Sequence, residues 1–125
     1  MKKIEINNNT FQIKNYTSFF PFRAYEALID NNRLIVCFDW TEIKDKMHNF
    51  DYRRSIWCYD LKGNLLWQIE PPYFISHVTG ERKLFEQPFT SIKWFEPDKK
   101  VIAYSDRGYE VDPETGRLSN DFEIR

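Results

Sequence analysis

Apolar and polar residues alternate with a period of two along almost the whole chain, the pattern of half-buried β-strands. "KIEIN" and "TFQIK" alternate across an Asn-rich turn and predict a first hairpin. "AYEALI" and "RLIVCFD" flank "DNN" as a second, whose latter strand is apolar enough to be buried on both faces. "SIWCYD" and "NLLWQIE" flank "LKG", where Gly fits the left-handed position of a short hairpin loop. "SIKWFE" and "KVIAYS" turn at "PDK", and "GYEVD" and "RLSNDFEIR" turn at "PETG", with Pro pre-set for the first turn position and Gly for the left-handed one. No stretch carries a helical period, and only "YFISHVTGERKLFEQ" has room for a short turn of helix. The expectation is an all-β protein.

The strands fall into two copies of one unit. With Pro21-Phe22 set on Pro88-Phe89, Tyr25 meets Ile92, Leu28 meets Phe95, Arg33 meets Lys100, Leu34 meets Val101, Ile35 meets Ile102 and Asp39 meets Asp106. Residues 40 to 54 exist in the first copy alone. Beyond them Trp57 meets Tyr109, Tyr59 meets Val111, Asp60 meets Asp112, Gly63 meets Gly116 and Leu65 meets Leu118. The chain is thereby divided into an N-terminal hairpin (1–20), a first four-stranded unit (21–69) with its insertion (40–54), a connection (70–87) and a second four-stranded unit (88–125), all within one domain.

The ending "IWCYDLKGNLLWQIE", with its alternating apolar run, Asp, turn Gly and Trp67, resembles the blade of a quinoprotein-like β-propeller. "GYEVDPETGRLSNDF" is similar in its first half but places Ser119 and Asn120 where such blades carry an aromatic. The resemblance implies antiparallel four-stranded units and says nothing of chemistry. A closed propeller takes typically four to eight blades; two cannot close a ring. The two antiparallel units are therefore expected to pack face to face as a β-sandwich extended by the N-terminal hairpin, with a ring completed by several chains as the alternative.

Length and composition narrow the class. A chain of 125 residues with 18% aromatics can bury a core without metal or disulfide staples. The net charge of −1 gives no sequence-wide reason to hold phosphate backbone, which disfavours nucleic acid as the main partner. "MKKIEINNNTFQIK" lacks the continuous apolar stretch of a signal peptide, and no run reaches membrane-spanning length, so the expected address is the cytoplasm, with no membrane association. Cys37 and Cys58 sit in apolar strands and read as small buried hydrophobes, with a cross-strand disulfide as the alternative.

Candidate chemistry is sparse. His48 and His77 lie far apart in irregular segments, away from metal-ligand spacing. There is no Gly-x-Ser-x-Gly elbow, no Cys in a reactive setting and no Gly-rich phosphate loop. The reading is a non-enzyme with no cofactor and no metal; a small enzyme working through His48 or His77 is the outlying hypothesis. Function is expected where the repeat is broken. The insertion carries Trp40, Met47, Phe50 and Tyr52 among Glu42, Asp45 and Asp51, the composition of a protein-binding hot spot and its rim. The connection adds Tyr73, Phe74 and Phe85, while Arg53-Arg54 read as solvated or edge-protecting charges. In size, mild acidity and type the chain resembles bacterial immunity proteins that block a cognate toxin. On that resemblance Glu42, Asp45 and Asp51 would meet a basic nuclease. The alternative is a ligand-binding or lectin-like module that self-associates as a homo-oligomer.

Overall fold

The computed structural model describes residues 1–7, 9–13, 16–96 and 99–123. Among these the chain is all-β apart from one short helix. In order it forms β1 (Lys2–Lys3), β2 (Ile6–Asn7), β3 (Thr10–Ile13), β4 (Tyr16–Phe19), β5 (Ala24–Ile29), β6 (Arg33–Phe38), α1 (Trp40–Lys46), β7 (Ile56–Asp60) and β8 (Leu65–Gln68). There follow β9 (Tyr73–Ile75), β10 (Arg82–Leu84), β11 (Ser91–Phe95), β12 (Lys100–Tyr104), β13 (Arg107–Val111) and β14 (Leu118–Glu123). The first large sheet has the order β1-β5-β6-β7-β8 and the second β11-β12-β13-β14, all pairs antiparallel.

Turn chemistry explains the hairpins. Asp60 and Asp112 open equivalent turns by accepting backbone N–H bonds, Asp60 Oδ1 from Lys62 and Asn64 and Asp112 Oδ1 from Glu114, each at 2.9 Å. Gly63 and Gly116 then take φ of +90° and +76°, the left-handed region where a Cβ is penalised. Asp30 does the same between β5 and β6, accepting from Asn32 and Arg33. The "PDK" turn rests on Pro97 and Asp98, which lie outside the described residues, as does Asn8 of the Asn-rich turn.

The two large sheets pack face to face. Leu28, Ile35, Cys37, Ile56 and Cys58 of the first meet Ile92, Val101, Ala103, Tyr109 and Val111 of the second in one core. The first sheet is buried on its other face too, where Ala27, Leu34, Val36, Phe38 and Trp57 lie under Phe11, Phe20, Phe22 and Ile43. Here the edges of Phe22 and Phe38 meet each other and Trp57 with ring centroids 5.3–5.5 Å apart, a favoured aromatic geometry. Leu34 faces this third layer while its counterpart Val101 faces the first sheet, so the two sheets are stacked in the same sense.

One joint fastens them. Trp67, at the end of β8, lies against Gly116 in the β13–β14 turn, and its Nε1 donates to Pro113 O at 2.9 Å. Glu70 Oε1 accepts from Leu118 N at 3.4 Å beside it.

Three expectations are corrected. The N-terminal hairpin does not simply extend a sheet: Lys2–Lys3 pair with β5, while β2, β3 and β4 form a separate three-stranded meander whose Phe11 enters the outer core layer. A helix does exist, inside the insertion. Asp39 caps it, Glu42 sits in its first turn and Lys44 and Lys46 in its last, each placed to complement the helix ends; with Ile43 its only buried residue, it shows no apolar period. Finally, the segment expected to hold a helical turn is the hairpin β9–β10, because Ser76 Oγ accepts from Val78 N and Thr79 N and Gly80 at φ +71° reverses the chain.

Candidate functional site

The insertion leaves β6 and returns to β7 over a fixed stem. Asp39 Oδ1 accepts from Thr41 N, Thr41 Oγ1 and the Tyr25 hydroxyl at 3.0, 2.7 and 3.0 Å, and Phe38 N donates to Ser55 O at 2.9 Å. Burial pulls the Asp39 carboxyl upward, but the bonds from Thr41 and Tyr25 outweigh it and hold the group below its usual range. Burial and then the same Asp39 contact push the Tyr25 phenol up to about 12. Ile43, fully buried, pins α1 to the core.

Beyond α1 the chain makes two turns, with Phe50 N donating to Met47 O at 3.2 Å and Arg54 N to Asp51 O at 3.0 Å. These turns and the end of the helix enclose an open cleft of about 580 Å³ lined by Lys44, Asp45, Met47, His48, Phe50, Asp51, Tyr52 and Arg53. Phe50 packs edge-on against Trp57, and Trp40 lies beside Tyr52 with centroids 5.4 Å apart. The Lys44 ammonium sits 5.1 Å over the Tyr52 ring. Five residues singled out from sequence (Asp45, Met47, Phe50, Asp51, Tyr52) thus converge on one concavity, with Trp40 behind it.

The carboxylates are not equivalent. Glu42 accepts a bond from Arg23 N and pairs with Lys46 at 3.8 Å. Asp51 takes the Arg53 guanidinium through both oxygens, at 2.9 and 2.8 Å, and Arg53 N at 3.0 Å. Those Arg53 hydrogen bonds hold the Asp51 carboxyl below its ordinary range and raise the guanidinium in turn. Asp45 is exposed and makes no ion pair or side-chain hydrogen bond among the described residues.

Arg53 and Arg54 turn inward rather than standing solvated, which corrects the sequence reading. Arg53 Nη1 donates to Phe85 O at 3.3 Å, so the insertion is tied to the connection. Arg54 Nε donates to Ile69 O at 3.0 Å while its guanidinium lies over Phe50. Phe74, half-buried, meets Phe85 edge-on at 6.1 Å beside this corner. Tyr73 is a core residue instead: 4% exposed, it receives the Tyr109 hydroxyl on its carbonyl at 2.5 Å, and the Arg82 guanidinium covers its ring at 3.8 Å.

The family described as Domain of unknown function (DUF7957) matches residues 1–122. This chain belongs to that family. No curated protein and no solved structure matches it.

In this DUF7957 chain Lys44, His48 and Arg53 complete the cleft, and sequence reasoning did not place them there; no local pattern signalled it, because Met47 ends the helix in a non-helical conformation and His48 lies in the turn beyond it. His77 is exposed at the tip of the β9–β10 hairpin. Cys37 and Cys58 are free and buried. Burial pushes the Cys37 thiol up strongly and the Cys58 thiol up to about 12, far from the thiolate character of a nucleophile. Among the described residues no three His, Cys, Asp or Glu side chains gather as a metal site, and no helix is long and apolar enough to cross a membrane.

Proposed function

We propose that the chain is a non-catalytic protein-binding module that receives its partner on the face formed by the 40–54 insertion and the Phe74–Phe85 corner. The observation that carries this reading is the convergence of Met47, Phe50 and Tyr52 on one cleft with charged groups at its rim, the arrangement of an apolar anchor site surrounded by polar contacts. The stem bonds of Asp39 and Ser55 fix the insertion in place, so little ordering is needed on binding.

Within this class, the specific form is an immunity protein that covers a cognate toxin domain in a bacterial cytoplasm. Since Glu42 and Asp51 are engaged internally, the contact rests on the apolar floor and Asp45 more than on an acidic mimic of phosphate. A ring built from several chains is less well supported. On the outer face of the second sheet, Glu110 and Asn120 stand at the positions of buried Cys58 and Trp67 and bond to each other at 2.9 Å, while Lys100 pairs with Glu110 at 2.7 Å. A polar terminal face is how a stack of repeats ends.

The test is affinity for the partner recovered from the native host. Tyr52→Ala and Met47→Ala together should weaken the complex at least about tenfold, the loss of roughly 1.4 kcal/mol that one modest hot spot supplies. Unchanged affinity in a folded double variant refutes the assignment of this face.

A further inference from the structure

We infer that the β7–β8 turn is a docking seat for a tryptophan side chain of another protein, with a carboxylate beside it. The pattern for such a seat is already present in the second unit. There the β13–β14 turn takes Trp67 of the first sheet: the indole lies against Gly116, its Nε1 donates to Pro113 O at 2.9 Å, and Leu118 of the same core is 5% exposed.

The β7–β8 turn is built the same way. Asp60 N donates to Asn64 O as Asp112 N does to Arg117 O, each at 2.9 Å, and Gly63 is left-handed like Gly116. Leu61 thus stands at the position of Pro113 and Leu65 at that of Leu118. Because the sheets are stacked in the same sense, this turn shows the outer layer the face that the β13–β14 turn shows Trp67; Leu65 pairs with Tyr59, which packs on that outer layer. The layer stops short of the turn, and among the described residues nothing comes within 4 Å of a Cβ on Gly63. Leu61 and Leu65 are accordingly 47% and 48% exposed. The seat lies at the other end of β7 from the insertion, so it is separate from the binding face proposed above.

What fills the second unit's seat says what fits the first unit's. An indole is flat enough to lie on a glycine and carries an N–H for the carbonyl beside it, which a leucine or phenylalanine side chain lacks. Glu70, three residues after Trp67, accepts from Leu118 N at 3.4 Å, and Leu65 N holds that place here. Charge at the rim agrees: Glu114 pairs with Arg33 at 3.7 Å, while exposed Lys62, without an ion pair among the described residues, stands in the place of Glu114. The occupant is therefore a segment with a tryptophan and carboxylates around it. A second copy of this chain does not supply one, because Trp67 is engaged in its own joint and the second unit carries Ser119 and Asn120 where an indole would be needed. Head-to-tail growth of the stack, the usual hazard of such a contact, is thereby avoided.

The probe is the end-blocked peptide Leu-Leu-Trp-Gln-Ile-Glu, residues 65–70, which carries the indole and carboxylate that fill the second unit's seat. Added at millimolar concentration to the isotope-labelled full chain, it should shift the amide resonances of Gly63 and Leu65 and leave those of Gly116 and Leu118 in place. Alanine for the peptide's tryptophan should weaken binding at least about tenfold, and phenylalanine severalfold for want of the N–H. In the protein, Gly63→Ala should weaken binding about tenfold, since its Cβ would meet the indole as one on Gly116 meets Trp67 Cε3, at 2.4 Å. Leu65→Lys, which leaves the turn backbone unstrained, should do the same. No shift at Gly63 and Leu65, or binding indifferent to the peptide's tryptophan, overturns the inference. So do shifts at Gly116 and Leu118 instead, which would mean that the peptide displaces Trp67, and self-association of the peptide-free chain that Leu65→Lys disperses, which would make the occupant a second copy.

Discussion

Replacing Gly116 by Ala tests how the two sheets are held together. At φ +76° any Cβ meets backbone strain of about 1–2 kcal/mol. Here the Cβ would also lie 2.4 Å from Trp67 Cε3 and 2.8 Å from Cδ2. That ring is 8% exposed and its Nε1 is bonded to Pro113 O, so it moves only by breaking the joint. Forcing atoms into a packed site adds about 1–3 kcal/mol, for a total of about 2–5 kcal/mol. Gly63→Ala is the internal control: at φ +90° it has nothing within 4 Å of the new atom, so it carries the strain alone. Urea unfolding followed by tryptophan fluorescence reports both values. A third measurement isolates the contact, since in a Trp67→Ala background Gly116→Ala should fall back to the cost of Gly63→Ala. If Gly116→Ala costs no more than Gly63→Ala in the native background, Trp67 does not fasten the sheets and the reasoning fails.

Other outcomes follow from single groups. Asp39→Asn should lower the Tyr25 phenol from about 12, though not to its free value because burial remains the larger cause; ultraviolet titration of the phenol checks this. Asp51 is held below its unfolded value, so its contribution is full above about pH 4 and is lost as acid carries the pH down through the folded value. Asp51→Asn should therefore cost about 1 kcal/mol at neutral pH, after allowance for solvent screening, and flatten the fall in stability below about pH 4; chemical denaturation at neutral pH and in acid measures both. Cys37 and Cys58 should resist Ellman's reagent at pH 8 in the folded protein and react fully in denaturant, while fast labelling under native conditions would contradict their placement. Tyr109→Phe should cost about 1–3 kcal/mol by leaving the buried Tyr73 carbonyl without its hydroxyl partner.

The strands were legible because their determinants are local. Alternation sets the face of each strand, and the Asp and Gly of "DLKG" and "DPETG" encode the turns within five residues. The helix was not legible, since its signal is an Asp39 cap and one buried Ile43, too little to outweigh the surrounding alternation. The candidate site was partly legible. Aromatics and Met in an insertion marked the segment, but composition does not say which side chains face the same way. Tyr73 and Tyr52 look alike in sequence; one is roofed by Arg82 in the core and the other lines a cleft. The pairing of Arg53 with Asp51 and Phe85 spans 32 residues at its longer reach, and no local pattern carries such a contact. That pairing engages Asp51, and Arg23 N and Lys46 engage Glu42, so the acidic face suggested by composition narrows to Asp45.

The most direct test of the proposed binding face is photo-crosslinking in the native host from two single positions. A photoreactive side chain at His48, at the cleft, should give one discrete adduct with a partner protein, and the same group at Lys93, on the second sheet, should give none. An adduct from Lys93 with no product from His48 would place the partner on the second sheet and contradict the assignment.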